Sequence, residues 1–349
     1  RRTPLLPLRP TPPESTVPML PWFENRFPLY LAPMAGFTDS IFRSFCREQG
    51  ADVVVTEFVS ADGILHRNAR TREYLEFTEP ERPVGVQLFG AEPDRMAEAA
   101  AAVLEWVRPD FIDLNFGCPV NKVVARNGGA ALLRDCPLLE RVARAVVRRV
   151  DPFPDTAKIR LGWDAGSVNA LSTARLLEDC GIRALAVHGR TRVQGYSGAA
   201  DWEAIGTVAA AVRIPVIGNG DLSDGAEVVR RRRESGVAGA MIGRAALASP
   251  WVFADMRGRL EGGPPRSAPS LAERWAWMRR HCRLAVERRG DERRAMQSMR
   301  TRLLTYSRGM PGGARLRERL GCVAGLAELD AVAEAHLAGI GRASCRERV

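Results

Sequence analysis

The stretch "IPVIGNGDLSDGAEVVRRRRESGVAGAMIG", Ile214–Gly243, holds a complete structural unit. It opens with a short apolar run, "IPVIGN" (Ile214–Asn219). A glycine turn leads into a helical stretch, and a second apolar run, "GAMIG" (Gly239–Gly243), closes it. Strand, glycine turn, helix and strand in thirty residues predict a parallel βαβ unit. Six more runs of the same kind precede it: "LYLAPM" (Leu29–Met34), "DVVVTEF" (Asp52–Phe58), "VGVQLF" (Val84–Phe89), "FIDLNF" (Phe111–Phe116), "AKIRL" (Ala157–Leu161) and "ALAVHG" (Ala184–Gly189). Helical patterns lie between them, such as Pro93–Val107 and Ser167–Cys180, with apolar residues three and four apart. Eight βα units in succession predict an α/β fold, a (β/α)8 TIM barrel, rather than an open sheet. The strands are apolar almost throughout, as a sheet buried on both faces requires.

The 349 residues suffice for such a barrel and a smaller second domain. Residues 1–27 read as a disordered extension, since prolines break it and it lacks the apolar core of a signal peptide. The absent initiator Met reads as a fragment or a mistaken start. The barrel is assigned to 28–258, a Pro/Gly/Ser linker to 259–270 and a basic helical domain to 271–339, with helices over Leu271–Arg289 and Asp291–Arg308. The last ten residues, "IGRASCRERV" (340–349), read as a translated sequencing adapter, which makes Cys345 foreign and the true C-terminus missing.

No apolar run approaches the roughly 20 residues that span a bilayer. Seven cysteines without C-x-x-C spacing argue for reduced thiols in a cytoplasm, and for no metal site. The net charge is +10, and from Asp255 onward 20 Arg face 11 acidic residues, a net +9. That asymmetry fits either a polyanion partner, nucleic acid first, or a solvated arginine-rich surface.

Barrel enzymes carry their chemistry at the C-terminal ends of the strands. Those ends hold Pro33-Met34-Ala35, Glu57, Gln87, Asn115 with Cys118, Lys158, His188, Asn219-Gly220-Asp221 and Gly243-Arg244. Only two of the 51 basic residues are lysines, Lys122 and Lys158; each marks a place where a compact ammonium resists exchange for a guanidinium. The glycine turns after the last two strands expose backbone N–H groups suited to a phosphate, with Arg244 as a bidentate partner. Lys158 fits a Schiff-base nucleophile, a phosphate ligand or a partner for the charge on a reduced flavin. Gln87 suits a pyrimidine edge or a base. Cys118 stands on a Gly-Cys-Pro loop where burial is not expected. An ordinary pKa of about 8.5 leaves it protonated, a general acid without an evident local base.

Seven motifs, "APMAGFTDSIFR", "VQLFG", "NFGCPVNKV", "KIRLGWD", "HGRTRVQGYSGAADW", "IPVIGNGD" and "MIGRAALASPWVF", appear in order from Leu31 to Phe253. Together they resemble the tRNA-dihydrouridine synthases, FMN-dependent enzymes, in their bacterial form. The resemblance implies FMN lined by Pro33, Met34 and Ala35, bonded by Gln87, contacted by Lys158 and His188, and held at its phosphate end by Asn219, Gly220, Asp221, Gly243 and Arg244. It implies NADPH as reductant, Cys118 as the proton donor and Asn115 as a uracil-placing residue. Lys122 is read as steadying the Cys118 loop or meeting a tRNA phosphate, and Arg190, Arg192 and the C-terminal arginines as candidate tRNA contacts. The partner is tRNA, with no membrane, and the chain is expected to be a cytoplasmic monomer. Two rivals stand: an FMN barrel reductase of a small molecule, dihydroorotate or enoate, which the basic helical domain disfavours, and a non-catalytic RNA-binding scaffold, which Cys118, Lys158 and His188 disfavour.

Overall fold

The computed structural model describes residues 20–67 and 69–346, with side chains to Gly339, Arg70 aside. Nine parallel strands form one sheet: β1 (Leu29–Leu31), β2 (Val53–Val55), β3 (Val59–Ser60), β4 (Val84–Phe89), β5 (Phe111–Phe116), β6 (Asp155–Arg160), β7 (Ala184–His188), β8 (Val216–Asn219) and β9 (Gly239–Ile242). Pairing of β1 with both β9 and β2, and of β2 with β4, closes the sheet. The two-residue β3 is a stub on the far end of β4. The architecture is therefore an eight-stranded parallel barrel ringed by helices, the expected TIM barrel, followed by a helical region.

Side-chain alternation divides each strand between two cores. Leu29, Leu31, Val54, Val86, Ile112, Leu114, Ile159 and Val187 face the surrounding helices. Tyr30, Val53, Val55, Phe111, Ala184, Ala186, Ile217 and Met241 fill the barrel's lower interior. Gly85 is required there, because a Cβ would stand 2.2 Å from the Phe111 ring.

The boundary at residue 27 needs correction. Leu20 is 3% exposed and Phe27 7%. The turn Pro21–Phe23 closes the lower end, with Trp22 5.3 Å from the Phe111 ring and Phe23 6.2 Å from Tyr30. Apolar aromatic residues just before β1 have an open barrel floor to fill, so 20–27 belong to the barrel. The remainder of the extension, 1–19, lies outside the described residues, as do the side chains on which the reading of 340–349 rests.

The helical region comprises Leu271–Arg289, Glu292–Tyr306, Gly313–Cys322 and Leu326–Arg346. The first begins at a capping box, Ser270 with Glu273, and ends at left-handed Gly290. Its Trp275, Trp277, Met278 and Cys282 are continuous with the barrel's outer core. Phe45 lies 4.1 Å from Trp277 across the junction. The helices thus share the barrel's core instead of enclosing one of their own.

Candidate active site

Inward alternation carries the upper half of the barrel interior from apolar to polar: Gln87 on β4, Asp113 and Asn115 on β5, Thr156, Lys158 and Arg160 on β6, His188 on β7 and Asn219 on β8. Register sets Gln87 beside Asp113, Asn115 beside Lys158, Arg160 beside His188, and His188 beside Asn219.

A directed hydrogen-bond chain rises through this layer. Asp113, 3% exposed, accepts from Thr156 Oγ1 at 2.5 Å and from Gln87 Nε2 at 2.6 Å. Asp113 lies beneath Lys158, whose charge acts on it. Gln87 must turn its nitrogen to this carboxylate, so its Oε1 accepts from Asn115 Nδ2 at 2.8 Å. Asn115 Oδ1 then accepts from the backbone N–H of Gly117 at 3.1 Å and Cys118 at 2.8 Å. The loop is pulled inward, which is why Cys118 is 7% exposed and not an open thiol at the mouth. Gly129, with φ +59°, lets the chain pass close behind, since a Cβ there would meet the Cys118 carbonyl at 2.9 Å. Burial raises the Cys118 pKa above its ordinary value, outweighing Arg160 and Lys158, which lower it. The thiol is held protonated.

In this structure Gln87 and Asn115 are engaged with each other and with the Cys118 loop. Gln87 is completely buried, with both ends of its amide engaged; it supports Asn115 from below instead of facing the mouth. Asn115 holds the Cys118 loop.

Lys158 Nζ donates to Asn219 Oδ1 at 3.1 Å, while Asn219 Nδ2 donates to the Met241 carbonyl at 2.7 Å and so fixes which end of the amide meets the ammonium. Burial, together with Arg160, lowers the Lys158 pKa to about 7. The same two influences, burial and neighbouring cations led by Lys158, lower His188 to about 2. His188 is therefore neutral, and its Nδ1 is buried without a partner.

The expected phosphate end is arranged differently. Asp221, in the left-handed region at φ +52°, pairs with Arg190 at 2.6 Å and Arg244 at 3.0 Å and accepts from Ala200 N. The Asp221 carboxylate, which would repel a phosphate, organises the two arginines. The helix Gly225–Ser235 has its N-terminus occupied: Asp224 accepts from Glu227 N and Asp255 from Gly225 N. Gly243 is partly exposed with half-exposed Met34 beside it, whereas Gly220 is buried against Ala200 and its carbonyl accepts from Trp202 Nε1. Pro33 and Met34 are half-buried and Ala35 exposed at the exit of β1.

Among the tRNA contacts, Arg190 is misplaced. It is 2% exposed and donates to the carbonyls of Ser197 and Gly198 and to Asp221. Arg192 is half-buried, donates to Asn121 at 2.7 Å and lies 4.7 Å from the Trp163 ring centre. Lys122 is exposed, with no ion pair among the described residues. Sequence reasoning missed Arg160, 3% exposed, which joins the Gly117 carbonyl to those of Thr191 and Gly195. It missed Asp113 as well. Inward alternation from Asn115 and Lys158 would have found both.

The unpartnered His188 nitrogen, the Lys158 ammonium in need of an anion, and exposed Arg244 beside partly exposed Gly243 together fit a flavin and its phosphate. A parallel barrel with that donor set and a protonated thiol on neighbouring strands of its mouth defines a flavin-dependent barrel oxidoreductase. The family model "Dihydrouridine synthase (Dus)" matches residues 30–339, and the chain belongs to that family. The tRNA-dihydrouridine synthase B of Pseudomonas putida is 40% identical over 292 residues, 83% of this chain and 86% of the relative. The enzyme of the same name from Xanthomonas campestris is 43% identical over 242 residues, 69% and 72% of the two chains. A solved structure described as a variant of NCR from Zymomonas mobilis shares the fold, with TM-score 0.50 and 17% identity over 72% of this chain and 93% of that one. Among the described residues, no helix is long and apolar enough to cross a membrane.

Proposed function

We propose that this chain reduces the C5–C6 double bond of a uridine in tRNA, with FMN as its flavin and NADPH as reductant. The observation that carries the reading is Cys118: a buried thiol kept protonated, on a loop anchored by Asn115, within the electrostatic reach of Lys158 and Arg160. FMN, when bound, supplies hydride to uracil C6. Cys118 delivers a proton to C5; a carboxyl of ordinary pKa near 4 would be ionised at pH 7 and unable to do so. Lys158 and His188 would hold the ring, Lys158 offsetting negative charge on it, and Met34 and Ala35 would line it. Gly243 and Arg244 would hold the phosphate. The target base must leave its stack to reach a site inside a barrel mouth.

Exposed arginines favour a tRNA partner. Arg289, Arg293, Arg308, Arg315 and Arg319 are exposed, and none of them forms an ion pair among the described residues. Free thiols at Cys46, Cys118, Cys136, Cys180, Cys282 and Cys322 are consistent with a reducing cytoplasm. The test is NADPH oxidation by the FMN-loaded protein with tRNA from a strain lacking dihydrouridine, beside an enoate and dihydroorotate. Dihydrouridine appearing in tRNA supports the reading; turnover of a small molecule alone overturns it.

A further inference from the structure

The turn leaving β1, Met34–Asp39, is closed locally by Thr38, whose Oγ1 accepts from Met34 N at 2.9 Å, and by Phe37 N donating to the Met34 carbonyl at 3.0 Å. Three further carbonyls of the turn, those of Gly36, Phe37 and Thr38, are taken by guanidinium groups. Arg302 Nη2 donates to Gly36 O and Phe37 O, each at 3.1 Å, and Arg43 Nη1 donates to Thr38 O at 2.8 Å. Arg302 Nη1 reaches Asp39 Oδ2 at 2.5 Å and His281 Nε2 at 3.2 Å. On the opposite side Glu57 accepts from Gly36 N at 2.9 Å. Arg43 comes from the adjoining barrel helix. Arg302 comes from Glu292–Tyr306 in the helical region, more than 260 residues away.

Arg302 is 8% exposed. His281, fully buried and held neutral by that burial, presents Nε2 as an acceptor to Arg302 and leaves Nδ1–H for the Tyr306 hydroxyl at 3.1 Å. The guanidinium therefore has a prepared seat, and one planar group satisfies two carbonyls, a carboxylate and an imidazole. An ammonium has no such fork.

We propose that Arg302 is a positioning residue for the flavin: from the helical region it sets the backbone of the turn that carries Met34 and Ala35, so that flavin affinity depends on that region. The inference rests on the reading of Met34 and Ala35 as flavin-facing.

FMN is titrated into the flavin-free full chain, with quenching of flavin fluorescence as readout, for wild type, Arg302→Lys, Arg302→Ala, Asp39→Asn and Arg280→Ala. Arg280→Ala removes an exposed ion pair with Glu48 between the same two regions, remote from the turn. Arg302→Lys weakens FMN binding about tenfold or more, and Asp39→Asn, which keeps the helix cap, weakens it less. Arg280→Ala binds as wild type. Amide hydrogen exchange over Gly36–Asp39 in the flavin-free protein quickens in Arg302→Lys and Arg302→Ala, less in Asp39→Asn, and not in Arg280→Ala. Should Arg302→Ala not fold, Arg302→Lys and Asp39→Asn carry the test. Wild-type affinity in Arg302→Lys overturns the inference, and so does an equal loss in Arg280→Ala. A wild-type chain that takes up no FMN overturns the functional reading, and this inference with it.

Discussion

At the lower end of the barrel, Leu20, Trp22 and Phe23 meet Tyr30 and Phe111 in an apolar plug. At the upper end, the same strands present Gln87, Asn115, Lys158, His188 and Asn219, joined by hydrogen bonds of fixed direction. The lower end is closed by area removed from water, which depends little on orientation. The upper end depends on orientation entirely: reversing one amide breaks the chain from Asp113 to Cys118. Changes below should therefore cost stability and leave chemistry intact, and changes above should do the reverse.

The largest test of that contrast is Cys118→Ala. Dihydrouridine formation falls by about 100-fold or more, while FMN absorbance and melting temperature stay near wild type; a turnover close to wild type would remove the acid assignment. Asn115→Leu comes next. It releases Gly117 N and Cys118 N, so turnover drops by about tenfold or more and alkylation of Cys118 by iodoacetamide accelerates. Unchanged alkylation would mean that the loop holds itself. At the other end, Trp22→Ala lowers unfolding free energy by about 2 kcal/mol with kcat unaltered, as denaturant melts and tRNA assays together can show.

The last test concerns charge within the upper layer. Lys158 titrates at about 7 in the folded chain against an ordinary 10.5. Between these values the unfolded chain holds more protons, so this group makes stability rise with pH. The melting temperature of the flavin-free protein should gain less between pH 7 and pH 9 in Lys158→Met than in wild type. An identical gain would place the titration elsewhere.

The strands were legible because each is a short apolar run; Val84–Phe89 and Phe111–Phe116, each followed by glycine, agree with the structure at both ends. The inward residues of the mouth were legible in part, since Asn115, Lys158, His188 and Asn219 sit at strand ends. What alternation alone could not convey was how they pair. Gln87 reads as a free amide until Asp113 is seen to orient it. Arg190 and Arg302 look like any other arginine in a chain of 49 arginines, and only the fold shows that both are buried against carbonyls and carboxylates. The plug was missed because proline-rich sequence before it hid three apolar residues whose destination is the barrel floor.

Asp52 ties that floor to the rest of the barrel. Its carboxylate receives Arg26 from the plug at 2.6 Å, Leu29 N from β1 at 2.8 Å, and Arg257 from the helix Val252–Leu260. Someone preparing a shorter version for expression would naturally cut at Pro28, just ahead of the first strand. That cut would discard the plug and one of the two guanidiniums on Asp52, leaving an uncovered ring of aromatic side chains facing solvent. A boundary at Leu20 keeps the plug and both guanidiniums on Asp52.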